Sequence, residues 1–310
     1  MLALIAGGAH PALAGQIAGL LGVAPAPVTL SRYPDAEVVR IDASVRGADV
    51  YLVQPTPPPP EGPLVELLML ADAARRAGAA RVSAVVPFLG YSRQDRRAAG
   101  ERTAIGARVV ANILDAGAID RLVTVDLHQP AVEGFFEMPV EHLEAFPLLL
   151  HALGEVAPDS AIVAPDLGAA RLADRFAAAL HLPMVVVHKT RLTGVDVVAT
   201  RVTGDIRGLR PIIVDDMITT GSTVRAALAA VAGAGAVGPA TVAVTHGIFS
   251  HDAPATLARS GPGRLLVTDS VPLPASGIEH LEAVALAPLL AGAIQRMHDG
   301  RSLAGLRSRR

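Results

Sequence analysis

With 310 residues, 51% of them hydrophobic, the chain is long enough for two domains of ordinary size, each with its own core. A net charge of −2 offers no general attraction to nucleic acid or to an acidic membrane surface. The complete lack of cysteine excludes disulfides, thiolate zinc sites and a cysteine nucleophile, and is compatible with a reducing cytoplasm. Aromatic residues make up only 3%, so the cores must be built from Ala, Val, Leu and Ile. Of the 27 basic residues all but Lys189 are arginine. Whatever bias placed arginine elsewhere did not act at that position, where a compact ammonium and a planar guanidinium differ in chemistry.

The first 30 residues carry no Asp, Glu, Lys or Arg. They lack the basic start of a secretory leader, and Gly7-Gly8-Ala9-His10 interrupts the apolar run. The pattern predicts strand Leu2–Ala6, a glycine turn and a helix over Pro11–Leu21 with proline at its start. No apolar stretch reaches membrane-spanning length, so the expectation is a soluble, cytoplasmic protein. Ser31–Glu37 is a polar turn, Val38–Asp42 alternates like a strand, and Val50–Gln54 is a short buried strand. The prolines of residues 55–60 form a stiff loop, followed by an amphipathic helix over Leu64–Ala77 and a strand over Arg81–Pro87.

Phe88–Arg97 then follows a strand end, where open α/β sheets bind ligands. Within it, Arg93 and Gln94 have the chemistry to hold a phosphate and a base edge. Strand Leu122–Val125 ends in Asp126-Leu127-His128, and a strand-end histidine beside an acid is a candidate metal or phosphate ligand. Strand Ala161–Ala164 runs through Pro165-Asp166-Leu167-Gly168 into a helix from Ala169. Met184–Arg191 reads as a further strand ending in charge, which places the single lysine at a strand's carboxyl end. The remaining histidines show no metal-like spacing and receive no metal role.

The stretch around which these pieces are organised is Ile212–Thr223. Its apolar triplet Ile212-Ile213-Val214 reads as a buried strand that ends in Asp215 and Asp216. The loop Thr219-Thr220-Gly221-Ser222-Thr223 follows, then a helix over Val224–Ala232. Backbone N–H groups at a helix start form an anion cradle, the hydroxyls add donors, and Gly221 allows close approach. The loop has no lysine, so it is not the nucleotide P-loop. Paired acids repel phosphate but suit sugar hydroxyls or a magnesium-bound group, and a sugar phosphate satisfies both halves of the stretch. Residues 49–87 and 210–246 share the order strand, loop, helix, Gly-Ala turn, strand, with prolines in the first copy where the second has acids and hydroxyls. Two related α/β halves with mostly parallel sheets flanked by helices are therefore expected.

Taken in order, these positions resemble the ribose-phosphate diphosphokinase family, which makes phosphoribosyl pyrophosphate (PRPP). The likeness covers nearly the whole chain, through Ser44–Gly47, Gly90–Arg96, Asp126–His128, Gly134–Phe136, Pro165-Asp166, Lys189–Arg191, Gly204-Asp205, Val214–Asp216, Thr245–Gly247 and Asp269–Leu273. The resemblance implies two tandem phosphoribosyltransferase-like domains. Residues 1–142 would carry the ATP-contacting loops, and 143–310 the ribose 5-phosphate loop and a mobile Lys/Arg arm, the last helix packing back on the first domain. It further implies transfer of the β,γ-diphosphoryl group of Mg-ATP to the C1 hydroxyl of ribose 5-phosphate, with Mg2+ as cofactor. By position, Asp215, Asp216 and Thr219–Thr223 hold the sugar phosphate together with Arg191, while Lys189 and Arg191 stabilise the transferring group. Arg93, Gln94 and His128 contact ATP, and His128 and Asp166 contact the metal. Asp35 and Glu37 reach the adenine of a neighbouring subunit in a dimer or hexamer. The chain departs from the family pattern at Thr219 (usually an acid), Ser222 (usually glycine), the turn residues Pro34 and Ala36, and Pro130. Two other functions fit parts of the sequence. A type I phosphoribosyltransferase consuming PRPP needs the 214–223 loop but neither Arg93-Gln94 nor His128. An inactive regulatory subunit would have no need to retain Lys189, Arg191, His128 and both acids.

Overall fold

Strands made of unbroken aliphatic runs must be buried on both faces, and parallel sheets with helices on each side bury them. In the computed structural model all residues are described except 34–36, 99, 192–196, 251, 276 and 307–310; at 32, 37, 189–191, 197–200 and 260 the backbone alone is described. The chain divides into two compact units, Met1–Ala145 with Ser270–Pro272 and Ala285–Arg310, and Phe146–Asp269 with Leu273–Val284.

The first unit runs β1 (Leu2–Ala6), α1 (Pro11–Leu21), β2 (Val28–Arg32), β3 (Glu37–Ile41), β4 (Asp49–Val53), α2 (Glu61–Arg76), β5 (Arg81–Val86), α3 (Gly106–Asp115), β6 (Arg121–Val125), a 3-10 turn (Pro130–Phe135) and β7 (Val140–Leu143). Its sheet has the order β1-β4-β5-β6-β7 and every pairing is parallel. Strands β2 and β3 form a separate antiparallel ribbon lying on α2. The second unit runs α4 (Phe146–Leu153), β8 (Ser160–Ala164), α5 (Ala170–Leu180), β9 (Met184–Arg191), β10 (Val197–Thr203), β11 (Arg210–Ile218), α6 (Ser222–Gly233), β12 (Thr241–Gly247), α7 (Ala253–Ser260), β13 (Arg264–Thr268) and β14 (Leu281–Val284). The sheet order is β10-β9-β8-β11-β12-β13-β14, parallel throughout except for β10 against β9. The last helix, α8 (Ala287–His298), belongs to the first unit, where it packs on α1. No helix among the described residues is long and apolar enough to cross a membrane.

Strand β1 and helix α1 have the ends that the sequence pattern predicts. The repeated layout also forms: β4–α2–β5 and β11–α6–β12 are the same strand–helix–strand unit, with parallel registers Val50↔Val82 and Ile213↔Val242. One strand end needs correction. β11 does not stop at Val214 but continues through Asp215 and Asp216 to Ile218, because β12 goes on pairing with it as far as Gly247. β9 runs over Met184–Arg191 as the sequence pattern predicts, and β10 turns back beside it and pairs Ala199 with Lys189 and Val197 with Arg191. In both places a neighbouring strand supplies backbone partners, which outweighs the reluctance of charged residues to sit in a strand.

At the opposite, amino-terminal edge of the first sheet, Asp49 gathers three partners. Arg81 donates to both carboxylate oxygens, at 2.7 Å to Oδ1 and 2.5 Å to Oδ2. The Tyr51 hydroxyl donates at 3.0 Å, and His298 Nδ1 lies 2.9 Å from Oδ2, which ties the end of α8 to β4. Burial alone would push the Asp49 carboxyl up, but the hydrogen bonds from Arg81, His298 and Tyr51 outweigh it and hold its pKa below the ordinary value. A depressed acid stabilises the fold above its unfolded pKa and loses that contribution as the pH falls through its folded one. Asp49→Asn should therefore cost about 1–3 kcal/mol in urea unfolding at neutral pH. The gap from the natural chain should shrink as the pH is lowered through the Asp49 titration; a gap independent of pH would contradict the role given to its charge.

Candidate active site

The carboxyl edge of the second sheet collects the acids. Asp215, in register with Val244, is buried, and its Oδ1 accepts the Asp216 N–H at 2.9 Å. β8 runs parallel beside β11 with Val163 opposite Ile213, so Asp166, just past the end of β8, comes level with the acid pair. Asp166 Oδ1 caps the approach to α5 by accepting the Ala169 N–H at 3.2 Å. Burial pushes the Asp215 carboxyl well up, and the negative charges of Asp216 and Asp166 push it further. Three acids converging at one strand end can lower their energy by holding a proton, by meeting sugar hydroxyls or by binding a cation. Among the described residues no three His, Asp or Glu side chains form a metal-ligating cluster. Magnesium does not require one, since it is usually held by one or two carboxylates together with substrate phosphates and water.

Immediately after β11 the chain turns into the amino end of α6. Gly221 takes φ 75°, and a Cβ there would meet Leu257 at 3.3 Å, so both backbone and space select glycine. Ser250 donates its N–H to the Thr219 carbonyl at 2.9 Å, which pins the loop from the β12 side. Thr220 Oγ1 and Ser222 Oγ are 2.9 Å apart, and the Ser222 N–H reaches Thr220 Oγ1 at 3.3 Å. No side chain caps α6. The first N–H groups of an uncapped helix, with the positive end of its dipole, are the partners an anion takes. Thr219–Thr223 and Asp215-Asp216 are thus brought together at one strand end.

In the first unit, Arg93 and Gln94 lie exposed in the loop after β5, and His128 lies just past the end of the adjacent strand β6. The support for the first loop was not apparent from sequence. Thr56, fully buried within the proline run, donates to the Phe88 carbonyl at 3.1 Å and accepts the Gly90 N–H at 2.7 Å. Gly90 packs so tightly that a Cβ would lie 2.6 Å from Pro60. A lone hydroxyl residue among prolines at a strand's carboxyl end was the available signal. Tyr91 and Asp126, both non-glycine residues at positive φ (65° and 39°), follow the ends of β5 and β6. Such strain clusters where function over-determines the backbone. Lys189 and Arg191 lie two residues apart in β9, not on a loop beyond it. Glu37 begins β3, and Asp35 falls outside the described residues.

Comparison with known proteins decides the family. Residues 2–117 match the N-terminal domain of ribose phosphate pyrophosphokinase, and residues 190–307 the phosphoribosyl synthetase-associated domain. The ribose-phosphate pyrophosphokinase of Corynebacterium efficiens is 38% identical over 311 residues, covering 98% of this chain and 95% of its own length. The chain belongs to the ribose-phosphate pyrophosphokinase family. Pyrophosphokinase and diphosphokinase are two names for one activity. The Mycobacterium tuberculosis member is 39% identical over 312 residues, covering 98% of this chain and 95% of its own. A crystal structure of phosphoribosylpyrophosphate synthetase from Mycobacterium smegmatis superposes with a TM-score of 0.90 at 38% identity, covering 96% of this chain and 99% of that one. The fold of the family, two phosphoribosyltransferase-like domains, is the fold of this chain.

The Asp215 environment has a consequence for stability. An acid whose folded pKa is raised favours the fold at low pH and loses that contribution as the pH rises through the folded value. Asp215→Asn should raise the thermal midpoint of the ligand-free protein at neutral pH, by roughly 0.5–2 kcal/mol of stability, while reducing turnover severely. A midpoint that stays level or falls at neutral pH would show that the acids are not in electrostatic conflict.

Proposed function

We propose that this chain transfers the diphosphoryl group of Mg-ATP to the C1 hydroxyl of ribose 5-phosphate, giving PRPP and AMP. The observation that carries the reading is the near-full-length likeness to ribose-phosphate pyrophosphokinases, together with an acid pair and an uncapped, hydroxyl-rich helix start at one strand end. A phosphoribosyltransferase would use that strand end alone, whereas the likeness also covers the first unit and its Arg93-Gln94 loop.

Each group has a task set by its chemistry. The N–H and hydroxyl groups of Thr219–Thr223 take the 5-phosphate, and Asp215 and Asp216 accept hydrogen bonds from the ribose hydroxyls. Held there, the C1 oxygen forms its bond to the β-phosphorus as the bridge to the α-phosphate breaks and AMP departs. Arg93, Gln94 and His128 hold ATP from the first domain. Asp35 and Glu37, in a dimer or hexamer, reach the adenine of a neighbouring subunit. Lys189 and Arg191 neutralise charge that grows on the transferring oxygens, the main service a protein renders in phosphoryl transfer. The Asp166 carboxylate, one of three acids in mutual repulsion, suits a divalent cation; with His128 it is the residue we assign to Mg2+. Magnesium, when bound, screens the polyphosphate and draws electron density from it. The division of labour places ATP contacts in residues 1–142 and sugar contacts in 143–310. A cytoplasmic site of action fits the absence of cysteine.

Lys189→Ala should lower the rate of AMP and PRPP formation from ribose 5-phosphate and Mg-ATP by about 10³–10⁵-fold, with an unchanged melting temperature. Lys189→Arg separates charge from shape, because a guanidinium keeps one and alters the other. Near-normal turnover by the alanine variant would refute the assignment.

A further inference from the structure

His128 follows a backbone outlier whose surroundings can be traced atom by atom. Asp126 has φ 39°, a conformation that costs a non-glycine residue about 1–3 kcal/mol and persists only where neighbours over-determine it. Three contacts do so, all from β7 and the residues just beyond it. The Asp126 N–H donates to the Leu143 carbonyl at 3.0 Å, and Asp126 Oδ2 accepts the Ala145 N–H at 3.1 Å. The third contact involves a side chain: the Leu127 N–H donates to His142 Nε2 at 2.9 Å.

That contact also fixes the protonation of His142. A ring nitrogen that accepts a peptide N–H carries no proton, so the proton of the neutral ring is on Nδ1. Nδ1 lies 2.6 Å from Glu133 Oε1, to which it donates. Glu133 belongs to the 3-10 turn that follows His128, so the loop is braced from its own downstream turn through the ring. Leu127 is buried, and its N–H, once deprived of the ring nitrogen, loses a partner in a part-buried place where that loss is costly. The low-energy response is rotation of the Asp126–Leu127 peptide out of its strained state, and that rotation swings His128.

We propose that His142 and Glu133 are positioning residues for ATP: by holding the Leu127 peptide they keep His128 in the orientation the nucleotide needs. The inference rests on the assignment of His128 to Mg-ATP made above. His142→Leu removes the acceptor. His142→Gln keeps both functions, since an amide can accept through its oxygen and donate through its nitrogen. Glu133→Ala leaves the ring free to adopt the other tautomer, with a proton facing the Leu127 N–H.

Steady-state kinetics in each substrate, with melting temperatures, test this on the full-length chain, with His128→Ala as reference. For His142→Leu the KM for Mg-ATP should rise, or kcat fall, by about 10–100-fold, as when groups that orient metal ligands are lost. The KM for ribose 5-phosphate should stay within about twofold, because no sugar contact is touched. His142→Gln should recover most of the loss, and Glu133→Ala should show a smaller change in the same direction. Equal changes in both KM values, an inert His142→Leu, or a His142→Gln as impaired as the leucine variant would overturn the proposal. Should His142→Leu fail to fold, Glu133→Ala decides by the same split between the two KM values. An inert His128→Ala would sink the assignment of His128, and the positioning role with it. An impaired His128→Ala beside an inert His142→Leu would sink the positioning role alone.

Discussion

The second half of this molecule depends on keeping an acid buried beside two others. Asp215 is buried inside β11, beside Asp216 and level with Asp166, and β11 leads into the amino end of α6. Repulsion among the acids and attraction of the helix end for anions act in opposite senses within one strand end. A ligand with hydroxyls at one end and a phosphate at the other relieves both at once. A protein optimised only for stability would not keep this arrangement, which is the usual sign of a binding site.

The scaffold makes such a site tolerable. β11 pairs with β8 as far as Ile213 and with β12 as far as Ile218, so one side of the strand keeps its ladder past the acid pair. Pairing as far as Ile218↔Gly247 delivers the chain to Gly221 in a fixed position, and Ser250 anchors the Thr219 carbonyl from the next strand. The first unit solves a similar problem differently. There the prolines of residues 55–60 replace the acidic loop, and Thr56 within them becomes a post on which the Gly90 turn rests. One supersecondary unit thus serves twice, once as ligand cradle and once as support for a ligand loop.

Much of this was legible from residue order. Apolar runs bounded by glycine turns located β1, α1, β4, α2 and β5 because each is decided by its own composition. The acid pair, the hydroxyl loop and the strand-end His128 were legible for the same reason, since they form continuous stretches of chain. What escaped was set by partners distant in sequence. The continuation of β11 past its two acids to Ile218 depends on β12. Edge strands such as β7 and β14 are short and only partly apolar, and they exist through pairing with β6 and β13. The roles of Thr56 and of His142 with Glu133 are relations between loops and leave no periodic trace.

The most direct test of the central claim is a crystal structure of this protein with ribose 5-phosphate bound. The phosphate should lie at the start of α6, within hydrogen-bond reach of N–H groups from Thr219–Thr223, and the ribose hydroxyls on Asp215 and Asp216. A sugar phosphate bound at any other strand end, with the acid pair contacting only protein and water, would contradict that claim.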